Sequence, residues 1–329
     1  MNVLSEIVGD SPGIRRLREQ LEHLLKRAAT APRPPAILLR GETGTGKGLV
    51  ARTMHRAGPR ARSPFVDVNC AAIPDNLLEA ELFGYERGAF TDARQSKPGL
   101  FQLAHRGMLF LDEIGTLSPA LQAKLLKILE DGVVRRLGGT RAEPVDVWIV
   151  SATNEDLAEA QRERRFREDL YHRLAVLSVE LPPLRERGAD IGLLAERFLA
   201  RACADYGLAP KTFARDARAA LTAYAWPGNV RELGNVIERV ALLADEPVVT
   251  AAMLALPPSR PVVNDAPAAE PAPARSSRDQ MRAHLLETLT ETGWNISQTA
   301  IRLGVARNTV LARMARFGLR TPEIGRAHV

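Results

Sequence analysis

A glycine-rich run near residue 41 has the residue types and the spacing to bind phosphate. The apolar stretch Ala36–Arg40 leads directly into Gly-Glu-Thr-Gly-Thr-Gly-Lys, and the helical pattern Leu49–His55 follows. Glycines let backbone N–H groups curl around phosphate oxygens, the helix N-terminus adds its dipole, and the lysine reaches the β/γ-phosphates. A turn that binds nothing is the alternative, but the strand before and the helix after the run favour a phosphate loop. The predicted phosphate-binding residues are Gly41, Glu42, Thr43, Gly44, Thr45, Gly46, Lys47 and Gly48.

Two adjacent acids, Asp112 and Glu113, follow the apolar segment Leu109–Leu111. Gly48 stands where the general phosphate-loop motif has a serine or threonine that holds Mg²⁺, so the metal needs another protein ligand. Placed on the next strand of the sheet, Asp112 can hold Mg²⁺ while Glu113 polarises the attacking water. Acid pairs at strand ends are commonly solvated turns, and it is the phosphate loop upstream that favours catalysis. Together the two motifs predict nucleoside triphosphate hydrolysis.

The elements that must position these residues alternate between helices and strands. Helical spacing of apolar residues over Ile14–Arg27 precedes the first strand, and later strands are predicted at Phe65–Val68, Gly107–Leu111 and Val145–Val150. Their near-continuous apolar character is typical of parallel strands that are buried on both faces. The predicted fold class is therefore α/β, a doubly wound parallel sheet.

Beyond residue 182 the pattern is helical only, over Ile191–Tyr206, Ala214–Tyr224 and Val230–Ala244. These segments predict a small helical lid. The stretch that follows is rich in proline and alanine, which cannot build a core, so it is interpreted as a linker. The predicted organisation is an α/β nucleotide-binding subdomain over 1–181, a helical lid over 182–256, a linker over 257–278 and a small helical domain over 279–320.

The final helical unit has the pattern of a helix-turn-helix. Asn295–Gly304 predicts a helix closed by glycine, and Val305–Phe317 predicts a basic helix after a tight turn. A helical packing domain with a solvated basic face is the alternative. The predicted core consists of Ala300, Leu303, Val305, Val310 and Met314. The candidate DNA-contacting residues are Ser297, Arg307, Asn308, Thr309 and Arg313.

Bulk composition is that of an ordinary globular protein whose charge suits an anionic partner. The 329 residues carry a formal net charge of +6, which is weak evidence for nucleic acid when taken alone. The two cysteines, Cys70 and Cys203, lie far apart and without metal-ligand spacing. No signal-peptide pattern opens the sequence, and no run approaches the roughly 18 apolar residues of a membrane span. We therefore expect a cytoplasmic protein without membrane contact.

The segment Glu81–Ala93 reads Glu-Leu-Phe-Gly-Tyr-Glu-Arg-Gly-Ala-Phe-Thr-Asp-Ala. It resembles the ELFG…GAFTGA loop of the bacterial enhancer-binding proteins, the AAA+ activators of sigma-54 RNA polymerase. In that family a phenylalanine and a threonine at the loop tip contact sigma-54, which implies this role for Phe90 and Thr91. Ordinary core packing is the alternative interpretation of Phe90. Asp92 departs from the family pattern, where glycine is usual.

Further matches extend the resemblance over almost the whole chain. They imply that Asn69 holds the catalytic glutamate in an inactive pose and that Asn154 is the sensor I residue near the γ-phosphate. Arg231 matches the sensor II arginine of the lid, and Val8 matches the segment that packs on adenine. Gly48 is a second departure, because the family usually has glutamate there.

Arg167 and Arg173 match the family's segment that supplies arginines to a neighbouring subunit. Glu168 and Asp169 lie between them, so surface salt bridging is the alternative. A guanidinium that reaches a neighbour's γ-phosphate stabilises transition-state charge and makes activity depend on assembly. The resemblance implies a homo-oligomeric ring, usually a hexamer, that binds ATP and Mg²⁺.

The function implied is an ATPase that remodels the closed complex of the sigma-54 RNA polymerase holoenzyme and binds upstream enhancer DNA. The Fis-type domain at the end would dimerise through a helix over about residues 278–292. No sensory domain precedes the phosphate loop, so we expect control by a separate partner, as in a two-component system, or a longer parent regulator. Two alternatives stay open: a DNA-binding regulator that does not engage sigma-54, motivated by Asp92, and an AAA+ remodeller of another protein complex.

Overall fold

The computed structural model describes residues 3–31, 34–257, 285–286, 288–290, 292, 294–302, 310, 314, 317 and 319. The chain divides into two compact units, Met1–Arg260 and Pro261–Val329. Within the described ranges, no helix is both long enough and apolar enough to cross a membrane.

The larger unit contains eleven α-helices and eleven strands among its described residues. The helices are α1 (Pro12–Thr30), α2 (Lys47–Ala57), α3 (Asp75–Phe83), α4 (Leu100–Leu103), α5 (Pro119–Asp131), α6 (Leu157–Arg162), α7 (Glu168–Leu174), α8 (Asp190–Asp205), α9 (Arg215–Ala223), α10 (Asn229–Leu243) and α11 (Ala251–Leu254). The strands are β1 (Ile37–Arg40), β2 (Phe65–Asn69), β3 (Gly84–Tyr85), β4 (Lys97–Pro98), β5 (Met108–Asp112), β6 (Val133–Arg135), β7 (Ala142–Pro144), β8 (Trp148–Thr153), β9 (Leu177–Glu180), β10 (Thr212–Phe213) and β11 (Val248–Val249).

The predicted fold class is confirmed. Five strands form one sheet in the order β2-β5-β8-β1-β9, and every neighbouring pair is parallel. Alternate residues of β1 point to opposite faces: Leu38 packs with α3, α5 and α7, while Ile37 and Leu39 pack with α1 and α2. The sheet is therefore buried on both faces, as its apolar strands predict.

Two details of the predicted sheet are wrong. The strand that ends at Asp112 is not the neighbour of β1, because β8 lies between them. Crossover helices separate parallel strands in the chain, so the order in the sequence does not fix the order in the sheet. The strand predicted at Val145–Val150 instead runs over Trp148–Thr153, all of it buried. Val145 belongs to the exit of the preceding hairpin, where its N–H donates to the carbonyl of Gly132 at 2.8 Å.

The lid helices are found within one residue of their predicted bounds, as α8, α9 and α10. Their apolar faces pack around Trp226, which is fully buried, and its indole N–H donates to the carbonyl of Leu221 at 2.8 Å. The prediction of a purely helical lid is wrong in one respect. The short strands β10 and β11 pair in parallel beside the helices, and two-residue strands leave no readable alternation in a sequence.

The second unit has its own small core. A helix spans Ile296–Arg302, and the side chain of Asn295 accepts the N–H groups of Ser297 and Gln298 at 3.1 and 3.2 Å, which caps the helix start. Ser297 itself is exposed. The predicted core members Ala300, Val310 and Met314 are buried together with Leu285 and Leu289. Outside the described residues lie Leu303, Val305, Arg307, Asn308, Thr309 and Arg313.

Candidate functional site

The loop between β1 and α2 has the backbone shape of an anion site. Gly44 and Gly46 have φ values of 81° and 104°, a region that side chains other than glycine rarely adopt. A Cβ on Gly44 would also overlap the carbonyl oxygen of Gly228. Helix α2 begins at Lys47, so the loop ends at a helix N-terminus, where backbone N–H groups and the helix dipole favour negative charge.

Lys47 is held inside this loop. Its side chain is buried, and its Nζ donates to the carbonyl oxygens of Gly41 at 2.8 Å and Glu42 at 3.2 Å. Burial lowers the pKa of Lys47, while the charges of Glu113 and Asp112 oppose that change. The ammonium therefore lies within electrostatic reach of both acids, and triphosphate oxygens could replace the two carbonyls as its acceptors.

The two acids stand at the carboxyl end of β5. Asp112 is the last residue of the strand, and its Oδ1 accepts the N–H of Glu113 at 3.1 Å. Glu113 has a φ of 54°, a strained left-handed backbone that is often found at functional sites. Burial raises the pKa of the nearby Cys70 thiol to about 12, and the charges of Asp112 and Glu113 add to the increase. Negative charge is thus concentrated at this end of the sheet.

The acids fit a Mg²⁺ ion that arrives with phosphate. In the part of the chain that the structure describes, no group of three or more His, Cys, Asp or Glu residues is placed to hold a metal. Mg²⁺ usually takes one or two carboxylates and fills its other positions with substrate phosphates and water. The half-buried carboxylate of Asp112 is suited to that limited role.

Two of the predicted sensor residues also lie against the phosphate loop. Asn154 follows β8, the neighbour of β1, and its Nδ2 donates to Thr43 Oγ1 at 2.9 Å. The backbone N–H of Arg231 donates to the carbonyl of Gly44 at 3.3 Å, and its charge is among the causes that lower the pKa of Lys47. The structure therefore brings Lys47, Asn154 and Arg231 to one edge of the sheet. Their predicted roles in sensing nucleotide remain predictions.

Asn69 lies beside Asp112 in the sheet, since the two residues are paired in register across β2 and β5. Its Oδ1 accepts the N–H of Ala71 at 2.9 Å and caps the short turn that follows β2. Within the described chain, no hydrogen bond joins Asn69 to Glu113. The contact that the family resemblance implies is therefore not made in this arrangement, and the role of Asn69 remains a prediction.

A cavity of about 310 Å³ adjoins the loop on the lid side. Val8, the predicted adenine-contacting residue, lines it together with Thr45 and Gly46 of the loop. Its other apolar walls come from the first segment, α2 and the lid, and include Ile7, Leu49, Leu194, Phe198 and Val230. Apolar walls beside a phosphate site are what a nucleoside base requires.

The lid holds the phosphate loop through residues that the sequence did not indicate. Arg185 donates two hydrogen bonds to the Glu42 carboxylate, at 2.9 and 2.6 Å. Buried Asn229 donates to Glu42 Oε2 and to the carbonyl of Thr43, both at 3.0 Å, while its Oδ1 accepts the N–H of Leu184 at 2.7 Å. The hydrogen bonds from Arg185 and then from Asn229 hold the pKa of Glu42 below its ordinary value.

A third lid contact comes from Arg187, whose guanidinium donates to the carbonyl of Thr45 at 2.9 Å. Burial lowers the pKa of Arg187 to about 10, opposed by Asp190. The sequence carries only local markers at these positions, two arginines after Pro182 and Pro183 and an asparagine after Pro-Gly at a helix start, and neither marker indicates a contact with the phosphate loop.

The two candidate trans-acting arginines differ in their surroundings. The exposed guanidinium of Arg167 pairs with Asp169 at 2.7 and 3.0 Å, so the salt bridge considered as the alternative is present in this conformation. Exposed Arg173 lines a cavity together with Pro34 and Ala36, at the beginning of β1. The phosphate loop follows the other end of that strand, so Arg173 lies away from the loop of its own subunit.

The loop that carries Phe90 projects from the hairpin of β3 and β4. Phe90 is 44% exposed, and its ring meets the Tyr85 ring edge-on with centroids 4.9 Å apart, so it is not a core residue. Thr91 and Asp92 are exposed. Gly88 has a φ of 83°, whereas Asp92 has no positive φ. The aspartate therefore causes no left-handed backbone strain in this arrangement.

Comparison with known proteins agrees with this geometry. Three family models match: the Sigma-54 interaction domain over residues 7–180, the AAA+ ATPase lid domain over 185–266, and the Bacterial regulatory protein, Fis family, over 281–317. The response regulator protein PilR of Pseudomonas aeruginosa is 42% identical over 325 residues, which cover 96% of this chain and 70% of PilR. The Nif-specific regulatory protein of Azotobacter vinelandii is 41% identical over 322 residues, 97% of this chain and 60% of that protein.

Among solved structures, NtrX of Brucella abortus in complex with ATP matches with a TM-score of 0.68 and 36% identity, over 96% of this chain and 70% of that one. The chain thus spans 60% to 70% of the length of these relatives. The three consecutive family matches and the similarity over 96% to 97% of this chain lead to one conclusion. The chain belongs to the sigma-54-dependent AAA+ transcriptional activators with a Fis-type helix-turn-helix, and it is an ATPase of that family.

Proposed function

We propose that the chain assembles in the cytoplasm as a homo-oligomeric ring, a hexamer, and hydrolyses ATP with Mg²⁺ between adjacent subunits. Hydrolysis moves the Phe90 loop against the sigma-54 RNA polymerase holoenzyme. One observation carries the proposal: Lys47, the Asp112–Glu113 pair and Asn154 meet at one edge of the sheet, while Arg173 lies at the other end of β1. If Arg173 stabilises the transition state, it must do so at the site of a neighbouring subunit, because it lies away from its own phosphate loop.

The chain's own side chains divide the work of the reaction. Lys47 leaves the carbonyls of Gly41 and Glu42 and binds the β- and γ-phosphate oxygens. Glu113 orients the attacking water and accepts its proton, and Asp112 is the residue that would hold Mg²⁺. When bound, the metal neutralises charge that develops on the phosphates. Asn154 reports the γ-phosphate to the loop through Thr43.

The Fis-type unit supplies the second partner, upstream enhancer DNA. Ser297 is exposed beside a capped helix start, and the other proposed DNA contacts are Arg307, Asn308, Thr309 and Arg313. Phosphate contacts fix the register of the duplex, and base contacts select the sequence. Bound DNA would raise the local concentration of subunits and so favour the ring.

The test is complementation between two inactive variants. Lys47→Ala removes the phosphate contact but leaves Arg173 available, and Arg173→Ala does the reverse. In a randomly mixed ring half of the sites keep Lys47, and half of those face an intact Arg173, so turnover should recover to about a quarter of wild type. A mixture of Lys47→Ala with Glu113→Gln should stay inactive, because neither subunit type has a complete site. No recovery in the first mixture would refute a trans-acting Arg173.

The alternative, a regulator that does not engage sigma-54, is distinguished by whether open promoter complexes form. It predicts ATP turnover without open-complex formation on a sigma-54 promoter in a reconstituted assay. The Phe90 loop argues against it, because the aromatic ring is exposed at the loop tip and Asp92 imposes no left-handed backbone strain.

A further inference from the structure

Another cavity lies beside the β6–β7 hairpin, which is the neighbour of the β3–β4 hairpin that carries Phe90, and none of its lining residues belongs to the phosphate loop. Its volume is about 320 Å³, within the range of small-ligand sites. Four apolar side chains from three neighbouring segments form its walls: Phe83 at the end of α3, Ile128 of α5, and Val133 and Leu137 of the β6 hairpin. The cavity can therefore bury an apolar group of limited size.

The rim of this cavity is cationic. Lys124, Lys127, Arg135 and Arg136 line it, against the single carboxylate of Asp131. Lys124 is paired with Glu79, and Arg136 is paired with two glutamates. Lys127 and Arg135 are exposed and make no ion pair with any described residue. Two free cations beside apolar walls suit a ligand that has an anionic end and an apolar body.

Arg136, which also lines the cavity, carries an unsatisfied hydrogen-bond donor. Its Nε is buried and has no hydrogen-bond partner among the described residues. A buried donor without an acceptor is unfavourable and uncommon in folded proteins. This nitrogen is closed off from the cavity in the observed arrangement, so the exposed groups of Lys127 and Arg135 are the donors that a carboxylate at the rim can reach.

Arg136 also connects the cavity to the hairpin of the Phe90 loop through ion pairs. Its terminal nitrogens pair with Glu86, in the hairpin that carries Phe90, and with Glu143 of β7, both at 3.2 Å. The two hairpins are also joined by the backbone, since Leu137 donates to the carbonyl of Gly84 and accepts the N–H of Glu86, both at 2.9 Å. A ligand at Arg136 would thus touch the support of the loop tip.

We propose that this cavity binds a small amphipathic carboxylate of about ten heavy atoms. The apolar tail lies against Phe83 and Ile128, and the carboxylate accepts from Lys127 and Arg135 at the rim, beside Arg136. Binding fixes the two hairpins in the observed arrangement and so restrains the Phe90 loop. The binding site stands on its own geometry, and only the regulatory consequence rests on the proposed function.

The binding test uses octanoate as the probe and octanol as its uncharged match, with the full chain in a calorimeter. Octanoate should bind saturably, and octanol more weakly by about tenfold. The double variant Lys127→Gln/Arg135→Gln changes exposed side chains only and should weaken octanoate by about fivefold or more. Ile128→Trp, which fills the cavity, should abolish binding. The control Arg62→Gln/Arg215→Gln removes two exposed cations elsewhere and should leave the affinity unchanged.

The proposed site is overturned if octanoate and octanol bind equally, if neither binds, or if the Lys127/Arg135 double variant binds octanoate like wild type.

The regulatory consequence is tested in a separate promoter assay. Octanoate should lower open-complex formation while ATP turnover stays within about twofold, because the ligand restrains the output loop and not the phosphate loop. Binding without any change in open-complex formation overturns the regulation alone. Loss of open complexes in the absence of octanoate counts against the proposed function and not against the site.

Discussion

The phosphate loop and the Phe90 loop are both short and glycine-containing, but the fold supports them in opposite ways. The phosphate loop is held by the lid, through Asn229 and Arg187 at its backbone, and it encloses a buried lysine. The Phe90 loop is closed mainly by its own turns, such as the hydrogen bond from Gly88 N–H to the carbonyl of Ala93 at 2.8 Å. The phosphate loop is therefore held in shape by another subdomain, whereas the tip of the Phe90 loop is held mainly by its own turns.

This difference fits the two roles proposed for the loops, ATP binding and contact with the polymerase. A site that binds a charged ligand gains from donors that are already in position, since no free energy is then spent on ordering them. A segment that transmits motion must instead have low local stability, with few buried contacts and exposed side chains. Substitutions in the two loops should therefore have separable effects.

The largest effect is expected from Lys47→Ala. It removes the cation that the loop encloses, so kcat/KM for ATP should fall by about 100-fold or more, and open-complex formation should be lost with it. Steady-state hydrolysis and a reconstituted promoter assay measure the two losses.

Lys211→Ala is the matched control for this loss, because Lys211 in the lid also donates to two backbone carbonyls, at 2.6 and 3.2 Å. It should leave hydrolysis within about twofold of wild type, as expected for a residue outside the site. Equal losses in the two variants would mean that Lys47 matters only for folding.

Phe90→Ala should separate the two loops. The ring is half-exposed and has one aromatic contact, so ATP turnover and the melting temperature should barely change, while open-complex formation falls by about tenfold or more. Both assays are run on the same preparation, with Tyr85→Leu as a control that removes the ring contact but keeps Phe90. Parallel loss of turnover and output in Phe90→Ala would contradict the separation.

Asn229→Asp tests the support of the phosphate loop. Aspartate keeps the oxygen that accepts the N–H of Leu184 and tolerates the left-handed φ of 53°. It loses the amide donor to Glu42 and Thr43 and places a second carboxylate beside Glu42. We expect KM for ATP to rise by about tenfold with a smaller change in kcat, because the substitution distorts the loop that binds ATP before the reaction.

The control for this substitution is Asn235→Asp on the exposed face of the same helix. It adds the same charge to α10 without touching the loop, so KM should stay at the wild-type value. An unchanged KM in Asn229→Asp would show that the lid contacts are structural only.

Asn229 also shows what the sequence could not reveal. The glycine loop and the acid pair are local patterns, whose chemistry is readable from residue type and spacing within a few positions. The phosphate-loop partners of Asn229, Thr43 and Glu42, are 186 and 187 residues away in the chain. No local periodicity or propensity encodes such a contact, so the lid residues that set the loop were missed although the loop itself was predicted.

The order of the strands in the sheet could not be predicted for a related reason. Apolar runs predicted most of its strands, but β8 between β1 and β5 follows from how crossover helices pack, not from any one strand. That strand order brings Asn154 to Thr43, while Asp112 stands one strand further away. The hairpins under the Phe90 loop are two to three residues per strand, too short to show alternation.

A smaller effect is expected from Asp92→Gly. Asp92 is exposed and has no positive φ, so the aspartate is not straining the loop. Glycine should change open-complex formation by about threefold at most and leave ATP turnover as it is. A gain of tenfold or more in the promoter assay would show that the acidic group itself limits contact with sigma-54.

The smallest effect is expected at Gly48, where the phosphate loop passes into α2. An added Cβ would meet only a ring carbon of Phe110 at 3.8 Å, an ordinary contact, and the backbone is helical. Gly48→Ala should therefore stabilise the chain by roughly 0.5 kcal/mol, a rise of one or two degrees in melting temperature, with ATP turnover unchanged. Gly44→Ala is the opposite case four residues earlier, since its Cβ would overlap the Gly228 carbonyl at a positive φ. It should lower both stability and ATP affinity, and similar behaviour of the two variants would contradict a loop whose shape the lid fixes in advance.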